Sequence, residues 1–402
     1  MRLLRIVFII VSASVLIPYS ADARQTLQKP LENVFTLELQ FGDKDVPSEY
    51  LLARPNQIAV NDAGDIYVFD EYKVKVYDKN GKPKTIFGGQ GQGPGDFAGS
   101  SPYTFFIAPT GWLTVSERQT YNLYSPANKF IEKHRYSSDP IFQSLKNDYK
   151  VNFEEAGSNN NIFALDDKNF AIIGTTATSE NYNEKGEYYD YIFFIQSGKL
   201  SVITKTQNIN YFSISSGGSV SVNILGRLFG AVLPGSKILY THTLFDEKIM
   251  NDTAQLTFHI VSPENNVKRE FSVTYQLEAI PDSVIQQSDP SYREMSEARK
   301  EMYSKLNNTL KKRKYMPLFM WMLSDGAYIF LANETREKGK LANVVKVINS
   351  ETGKEIYNFI TTESLSYRHN IIKNGYQYML TTPKDGYPVV QKYRINPAVY
   401  GK

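Results

Sequence analysis

Hydrophobic positions in residues 55–97 alternate at period two, in short runs that are separated by turns. Ile66 and Val68 show the alternation in one run, and this spacing is typical of strands with two different faces. The Asn80-Gly81 dipeptide favours the positive φ angles of a tight hairpin turn. Four such runs in about 35 residues predict one antiparallel sheet of the size of a propeller blade.

Similar runs recur along the chain and predict six blades in one domain of residues 24–402. Blades two, three and four are expected at about residues 103–136, 162–206 and 220–275, and blades five and six begin near Pro317 and His369. In blade five, Gly326 aligns with Gly64 of blade one. Two tandem β-sandwiches are the alternative, but no linker rich in Pro, Gly or Ser divides the chain.

The last predicted blade lacks a fourth strand, and the segment before blade one can supply it. Asn33 to Phe41 (NVFTLELQF) alternates like a strand. Pairing it with the last sheet would close the ring and leave no two edges unpaired. We therefore predict an all-β fold, a six-bladed β-propeller of four-stranded antiparallel blades that is closed by an N-terminal strand.

A helical insertion is predicted at about residues 282–314, between blades four and five. Asp289-Pro290 fits an N-cap followed by proline at the first helical position. The apolar face of the helix would consist of Tyr292, Met295, Met302, Leu306 and Leu310. We interpret Lys311 to Lys314 (KKRK) as a solvated helix end, where cations are favoured; a membrane or nucleic-acid patch is the alternative.

The first residues have the pattern of a secretory signal peptide. Arg2 and Arg5 precede an apolar run, and Ala21-Asp22-Ala23 forms a small-x-small cleavage site. The run is too short for a convincing membrane span. Removing residues 1–23 takes the formal net charge from +3 to +2. The mature chain then has no general electrostatic reason to bind nucleic acid.

The chain has no cysteine. This excludes disulfides, thiolate metal sites, a cysteine nucleophile and the lipid-attached cysteine of a bacterial lipoprotein. We expect an exported monomer in the periplasm or the medium, without a lipid anchor or a stable membrane span.

The first blade resembles the NHL-type repeat of six-bladed propellers. The exit from this blade, GGQGQGPGDF (Gly88 to Phe97), resembles a turn of exported propellers from Bacteroidetes-type bacteria. The other residues that carry the resemblance are Pro55, Ile58-Ala59-Val60, Gly64-Asp65-Ile66-Tyr67-Val68, Val76-Tyr77-Asp78, Gly81-Lys82 and Phe87-Gly88. Some NHL-type propellers are lyases or lactonases with metal ligands on the central channel, so the resemblance implies a channel-sited hydrolase or lyase as one alternative.

The motifs of known catalytic and cofactor sites give little support to that alternative. Gly88 to Phe97 lacks the residues of a phosphate-binding loop, and the chain has no G-x-S-x-G serine motif. Of the four histidines, His242 and His369 would approach the face where the blades connect, whereas His134 and His259 would lie far from the axis. Two ligands do not make a convincing zinc site. We expect no cofactor, and an all-oxygen calcium site in the channel is left open.

Polar and aromatic residues on the loops of one face form the candidate binding site. Its members are Asp70, Glu71, Tyr72, Glu117, Arg118, His242, Arg336, Arg368 and His369. Tyrosine beside arginine and aspartate suits the binding of a glycan, a peptide or a protein partner. The sequence therefore favours a binding module over an enzyme.

Overall fold

The computed structural model describes residues 33–44, 46–154, 160–176, 188–214, 218–221, 223–262, 267–287, 289, 296–337, 340–362, 370–384 and 386–402. Its strands form six antiparallel sheets in a ring, a six-bladed β-propeller with four strands in each blade and one extra strand in blade four. The first strands of neighbouring blades contact one another around the axis at five of the six blade interfaces. The predicted fold class is confirmed.

Blades one, two and three follow β1, Phe35–Phe41, in chain order. Blade one contains β2 Pro55–Val60, β3 Ile66–Asp70, β4 Lys73–Tyr77 and β5 Pro83–Phe87; blade two contains β6 Thr104–Ile107, β7 Leu113–Ser116, β8 Thr120–Tyr124 and β9 Phe130–Arg135. Helix α1, Pro140–Tyr149, leads to blade three, which contains β10 Asn161–Ala164, β11 Asn169–Thr175, β12 Tyr188–Gln196 and β13 Lys199–Asn208.

A separate hairpin precedes the second half of the ring, made of β14 Tyr211–Ile214 and β15 Gly218–Ser221. Blade four contains β16 Leu228–Leu233, β17 Lys237–His242, β18 Glu247–Met250, β19 Thr253–Ser262 and β20 Val267–Gln276, and is followed by α2 Asp282–Gln287 and α3 Glu297–Arg313. Blade five contains β21 Trp321–Asp325, β22 Tyr328–Glu337, β23 Lys340–Asn349 and β24 Lys354–Thr361; blade six contains β25 Asn370–Lys373, β26 Tyr376–Thr381 and β27 Val389–Ile395. Short 3₁₀ turns lie at Ser48–Tyr50, Asn223–Leu225 and Pro397–Tyr400.

The N-terminal strand closes the ring, as predicted. β1 pairs antiparallel with β27 and becomes the outermost strand of blade six. At its end, the buried Phe41 ring lies 4.8 Å from the Tyr77 ring of blade one. The strand therefore joins the last blade to the first by side-chain packing as well as by backbone hydrogen bonds.

The hydrophobic core is divided among the six blade interfaces. Buried side chains form one cluster between each pair of neighbouring blades, including the interface between blades six and one. A seventh cluster joins α2 and α3 to the segment that enters blade four. Each blade is thus stabilised from both sides, since the faces of its sheet are covered by its neighbours.

Crossing segments connect the outermost strand of one blade to the innermost strand of the next. We call the face of the ring on which they lie the crossing face; the second strand of each blade ends there and the third begins. All three described helices, and the hairpin of β14 and β15, belong to crossing segments. The described connections on the opposite face are short turns, and the 3₁₀ turn Pro397–Tyr400 follows the last strand there. Among the described residues, the longer insertions therefore lie on the crossing face.

The glycine-rich segment of residues 88–97 is one of these crossings, as its glycines suggested. Gly88 has a φ of +81°, and a Cβ there would lie 2.3 Å from the Phe97 ring. A Cβ on Gly91 would lie 2.5 Å from the Asp96 carboxylate. The close approaches at these two positions require glycine. The crossing segment therefore folds tightly against blade two, where Lys133 Nζ donates to the Gly93 carbonyl oxygen at 2.9 Å.

The insertions differ from the predictions in three respects. Helix α1 was not predicted, although Asp139 caps it and proline occupies its first position. Helix α3 begins at Glu297 after Ser296, and the predicted start at Asp289-Pro290 falls partly outside the described residues. Blade four begins at Leu228, later than expected, because the residues near position 220 form the separate hairpin.

The helix end at Lys311 to Lys314 is only partly solvated. Lys311, Lys312 and Lys314 are exposed. The Arg313 side chain is instead only 5% exposed, and its Nη2 donates to Glu247 Oε1 at 3.1 Å in a bidentate ion pair. The interpretation of the whole KKRK run as a solvated end was wrong for Arg313. This ion pair fastens α3 to blade four on the crossing face.

Candidate functional site

The predicted site residues Asp70 and Glu117 lie on the crossing face, but their carboxylates are directed into the protein. Asp70 ends β3 and is 1% exposed. It accepts hydrogen bonds from the backbone amides of Ala53 at 3.0 Å and Arg54 at 2.6 Å, and it forms a 2.7 Å ion pair with Lys75. The carboxylate thereby satisfies backbone donors of the chain entering β2.

Glu117 repeats this arrangement in blade two. It follows β7, is 4% exposed, and accepts from the amides of Gly99 at 2.6 Å and Ala98 at 3.3 Å. Burial raises the pKa of Glu117, although the two amides act in the opposite direction. In blade five, Asn333 within β22 makes a comparable contact, and its Nδ2 donates to the carbonyl oxygens of Pro317 and Leu318. A polar side chain on or directly after the second strand therefore holds the incoming crossing segment in three of the blades.

The remaining predicted residues of blades one and two differ in exposure. Glu71 is exposed in a two-residue turn with a φ of +58°. Tyr72 is half-buried and packs against the cluster between blades one and two. Arg118 is exposed beside Glu117. Glu71 and Arg118 are thus the members of this group that a partner on the crossing face could reach.

His242 ends β17 and is completely buried. Its Nδ1 accepts from the backbone amides of Leu244 and Phe245, both at 3.2 Å, which leaves the proton on Nε2. Burial lowers the pKa of His242 to about 4, so the imidazole is neutral at physiological pH. The ring organises the turn that presents Phe245, whose ring centroid lies 4.4 Å away.

The other three predicted site residues belong to blade five and to the segment that enters blade six. Arg336 lies on β22, where its backbone pairs with Leu341 of β23. Arg368 and His369 lie outside the described residues. Among the described residues, no group of three or more His, Asp or Glu side chains is arranged to hold a metal ion. In the same part of the chain, no helix is long and apolar enough to cross a membrane.

Strands of blades four and five extend beyond the crossing face. β22 and β23 have ten residues each and pair out to Glu337 and Lys340, whereas β3 and β4 of blade one have five each. In blade four, β18 and the first half of β19 form a further hairpin. These long strands carry side chains above the ring on a rigid, hydrogen-bonded support.

Exposed large apolar side chains sort into two groups by location. Four of the nine in the described residues lie on outermost strands: Leu37, Ile131, Val202 and Val267. The other five belong to the crossing face and are 37–55% exposed: Tyr103, Phe245, Ile249, Met250 and Tyr387. We call this second group the apolar rim. Tyr103 precedes blade two, Tyr387 lies between β26 and β27, and the rest belong to blade four, so the rim extends around the ring.

Two histidine clusters were not predicted from the sequence. His134 on β9 stacks on Tyr121 of β8, its cross-strand partner, with ring centroids 4.5 Å apart. His259 on β19 stacks in the same way on Tyr240 of β17 at 4.8 Å. Each imidazole lies between two carboxylates. A cross-strand Tyr–His pair is visible only once the strand register is known.

Comparisons with known proteins show distant similarity of fold. No protein-family model matches the chain, and no curated protein matches it. A "Putative exported protein" from Bacteroides fragilis NCTC 9343 is 13% identical, with 91% of this chain and 97% of that chain covered and a TM-score of 0.48. A protein of unknown function from Bacteroides caccae is 13% identical, with 81% and 93% covered and a TM-score of 0.34.

A gluconolactonase from Xanthomonas campestris is also similar. It is 9% identical, with 86% of this chain and 87% of that chain covered and a TM-score of 0.37. Similarities this low carry no argument about activity. The assignment of the propeller rests on the strand pairing described above.

Proposed function

We propose that this protein is an exported, monomeric binding module whose crossing face engages a peptide or protein partner. The apolar rim is the observation that carries the proposal. Phe245, Ile249 and Met250 lie within one short segment on the raised strands of blade four. Burying a large apolar side chain against a partner contributes about 1.5–3 kcal/mol, so three neighbouring ones could anchor an interface.

The chemistry of the rim favours a peptide or protein over a glycan. Phenylalanine and methionine are enriched at protein interfaces, and tyrosine supplies both a ring and a hydroxyl. Exposed charges such as Glu71 and Arg118 lie on the same face of the ring and would form the polar periphery of such an interface. Asp70 and Glu117 are left out of the proposed contact surface because their carboxylates are already hydrogen-bonded to the backbone.

Binding of the mature protein to a peptide-display library and a glycan array would test this proposal. We expect enrichment of peptides with apolar side chains. Phe245→Ser should weaken their binding about tenfold or more, as for a central interface residue, with the melting temperature unchanged.

Ile131→Ser provides the matched control, since Ile131 is similarly exposed but lies on an outermost strand. This variant should bind like the wild type. Enrichment of glycans alone, or equal loss of binding in both variants, would contradict a peptide-binding rim.

A further inference from the structure

A cleft of about 460 Å³ lies between blades two and three, and none of the apolar rim residues line it. Its volume is within the range of small-molecule sites. The inner lining is apolar and aromatic, with Tyr121 and Phe142 on one side and Ile162, Phe170 and Ile195 on the other. Tyr121 lies 5.6 Å from Phe142 and 6.0 Å from Phe170 by ring centroids, so the aromatic lining is continuous.

His134 forms part of the polar lining and is held on both sides. Its Nδ1 lies 2.7 Å from Asp139 Oδ2, and its Nε2 lies 2.7 Å from Glu132 Oε1. Asp139 is itself fixed, because its other oxygen accepts from the Ile141 amide at 2.9 Å as the cap of α1. The imidazole therefore has a fixed orientation in the cleft wall.

The charges that line the cleft favour a cation. Three carboxylates, those of Glu132, Asp139 and Asp167, are opposed by one lysine, Lys168. The lining is thus net negative whether His134 is neutral or protonated. The Glu132 side chain is 42% exposed and can reach a ligand, whereas Asp139 is committed to His134 and to the helix cap.

We infer that this cleft binds a small organic cation, a protonated amine carried on an apolar body. The aromatic lining would cover the apolar body, and Glu132 would accept a charge-assisted hydrogen bond from the ammonium group. The inference is independent of the proposed function of the crossing face, because none of the apolar rim residues line the cleft.

Protonation of His134 should oppose binding of such a ligand. Burial alone would lower the pKa of His134, but its contacts with Asp139 and Glu132 outweigh burial and raise it. The other groups in contact with the ring or lining the same cleft are Tyr121, Asp167 and Lys168. Amine affinity should therefore rise as the pH rises through the pKa of His134 and the positive charge is lost.

Three probes of similar shape test the inference by ligand-observed NMR titration of the mature protein. Phenethylamine is cationic, 2-phenylethanol is neutral and 3-phenylpropionate is anionic. We expect saturable binding of the amine, about tenfold weaker binding of the alcohol, and no binding of the carboxylate. Glu132→Gln should weaken amine binding about tenfold, and His134→Gln should remove its pH dependence.

Blade four supplies matched control variants. Glu270 flanks His259 as Glu132 flanks His134, with a distance of 2.9 Å between His259 Nδ1 and Glu270 Oε1, but neither lines the cleft. Glu270→Gln and His259→Gln should leave amine binding and its pH dependence unchanged. Failure of the amine to bind, equal binding of the alcohol, or an unchanged affinity in Glu132→Gln would each overturn the inference.

Discussion

At the scale of single residues, the three described histidines divide into two electrostatic types. His134 and His259 are each stacked on a tyrosine and flanked by two carboxylates, which favours the imidazolium. His242 is buried and accepts backbone hydrogen bonds, which favours the neutral ring. Folding stabilises the protonated ring in the first type and the neutral ring in the second, so their contributions to the free energy of unfolding change with pH in opposite directions.

The pH dependence of the free energy of unfolding should reflect the protonation of His259. Its hydrogen bond with Asp246 raises the pKa, burial opposes this, and Glu270 adds to the rise. The folded state therefore binds the proton more tightly than the unfolded state, whose histidine pKa is about 6.5. The resulting stabilisation is complete below that pH and is lost as the pH rises through the folded-state pKa.

We expect His259→Gln to lower the free energy of unfolding by about 0.5 kcal/mol at pH 5.5, since a partly exposed ion pair contributes little. The loss should become smaller at pH 8.5. Denaturant titrations of the variant and the wild type at both pH values would measure the difference. A loss that grows with pH would contradict the sign of the His259 pKa shift.

At the same scale, the sequence located some site residues but not their partners. Hydrophobic alternation marks where a strand ends, and it predicts Asp70 and Glu117 between the second and third strands. The structure places Asp70 at the end of β3 and Glu117 directly after β7. Their burial could not be predicted, since it depends on amides of a crossing segment that are 16 to 19 residues away along the chain. The sequence alone therefore does not distinguish an exposed loop residue from a buried residue that accepts hydrogen bonds from a crossing segment.

At the scale of elements, strands with local alternation were predictable and insertions were less so. The glycines at 64 and 326 adopt positive φ in equivalent turns, which is why blade five could be aligned with blade one. Helix α1 begins with an aspartate cap followed by proline, which is the same signal that predicts a helix start at Asp289. It has only ten residues and few apolar positions. The hairpin of β14 and β15 resembles a blade strand locally, and only its pairing distinguishes it.

Deletion of Asn33 to Phe41 tests the contribution of the closing strand. The truncation would remove β1, expose the edge of β27 and leave the Tyr77 ring without Phe41. We expect aggregation or a strongly lowered melting temperature, because an unpaired edge strand invites association with other chains. A control that begins at Asn33 retains the strand and should remain stable. A soluble deletion variant with the melting temperature of this control would show that the ring does not depend on closure by β1.

At the scale of the whole molecule, the clusters that stabilise the propeller lie between the blades, whereas the described insertions lie on the crossing face. The six interblade clusters form a closed cycle, so most of the apolar surface is buried between neighbouring sheets. The raised hairpins can then vary on the crossing face with little effect on these clusters, whereas helix α1 contributes Phe142 and Leu145 to the cluster between blades two and three. This division is typical of scaffolds that present binding residues on loops. The number of blades could be read from the sequence, but the collection of all insertions on one face emerged only from the strand order.

The proposed export of the whole chain is tested by the mass of the secreted protein. Residues 1–32 lie outside the described residues, so the prediction of a signal peptide rests on the sequence pattern. We expect cleavage after Ala23 and an intact mass that corresponds to residues 24–402, with the protein recovered from the periplasm or the medium of a Gram-negative host. Ala23→Arg replaces the small residue that the cleavage site requires and should retain the leader. A wild-type mass that includes residues 1–23 would instead indicate an uncleaved anchor, and the crossing face would then act at a membrane surface.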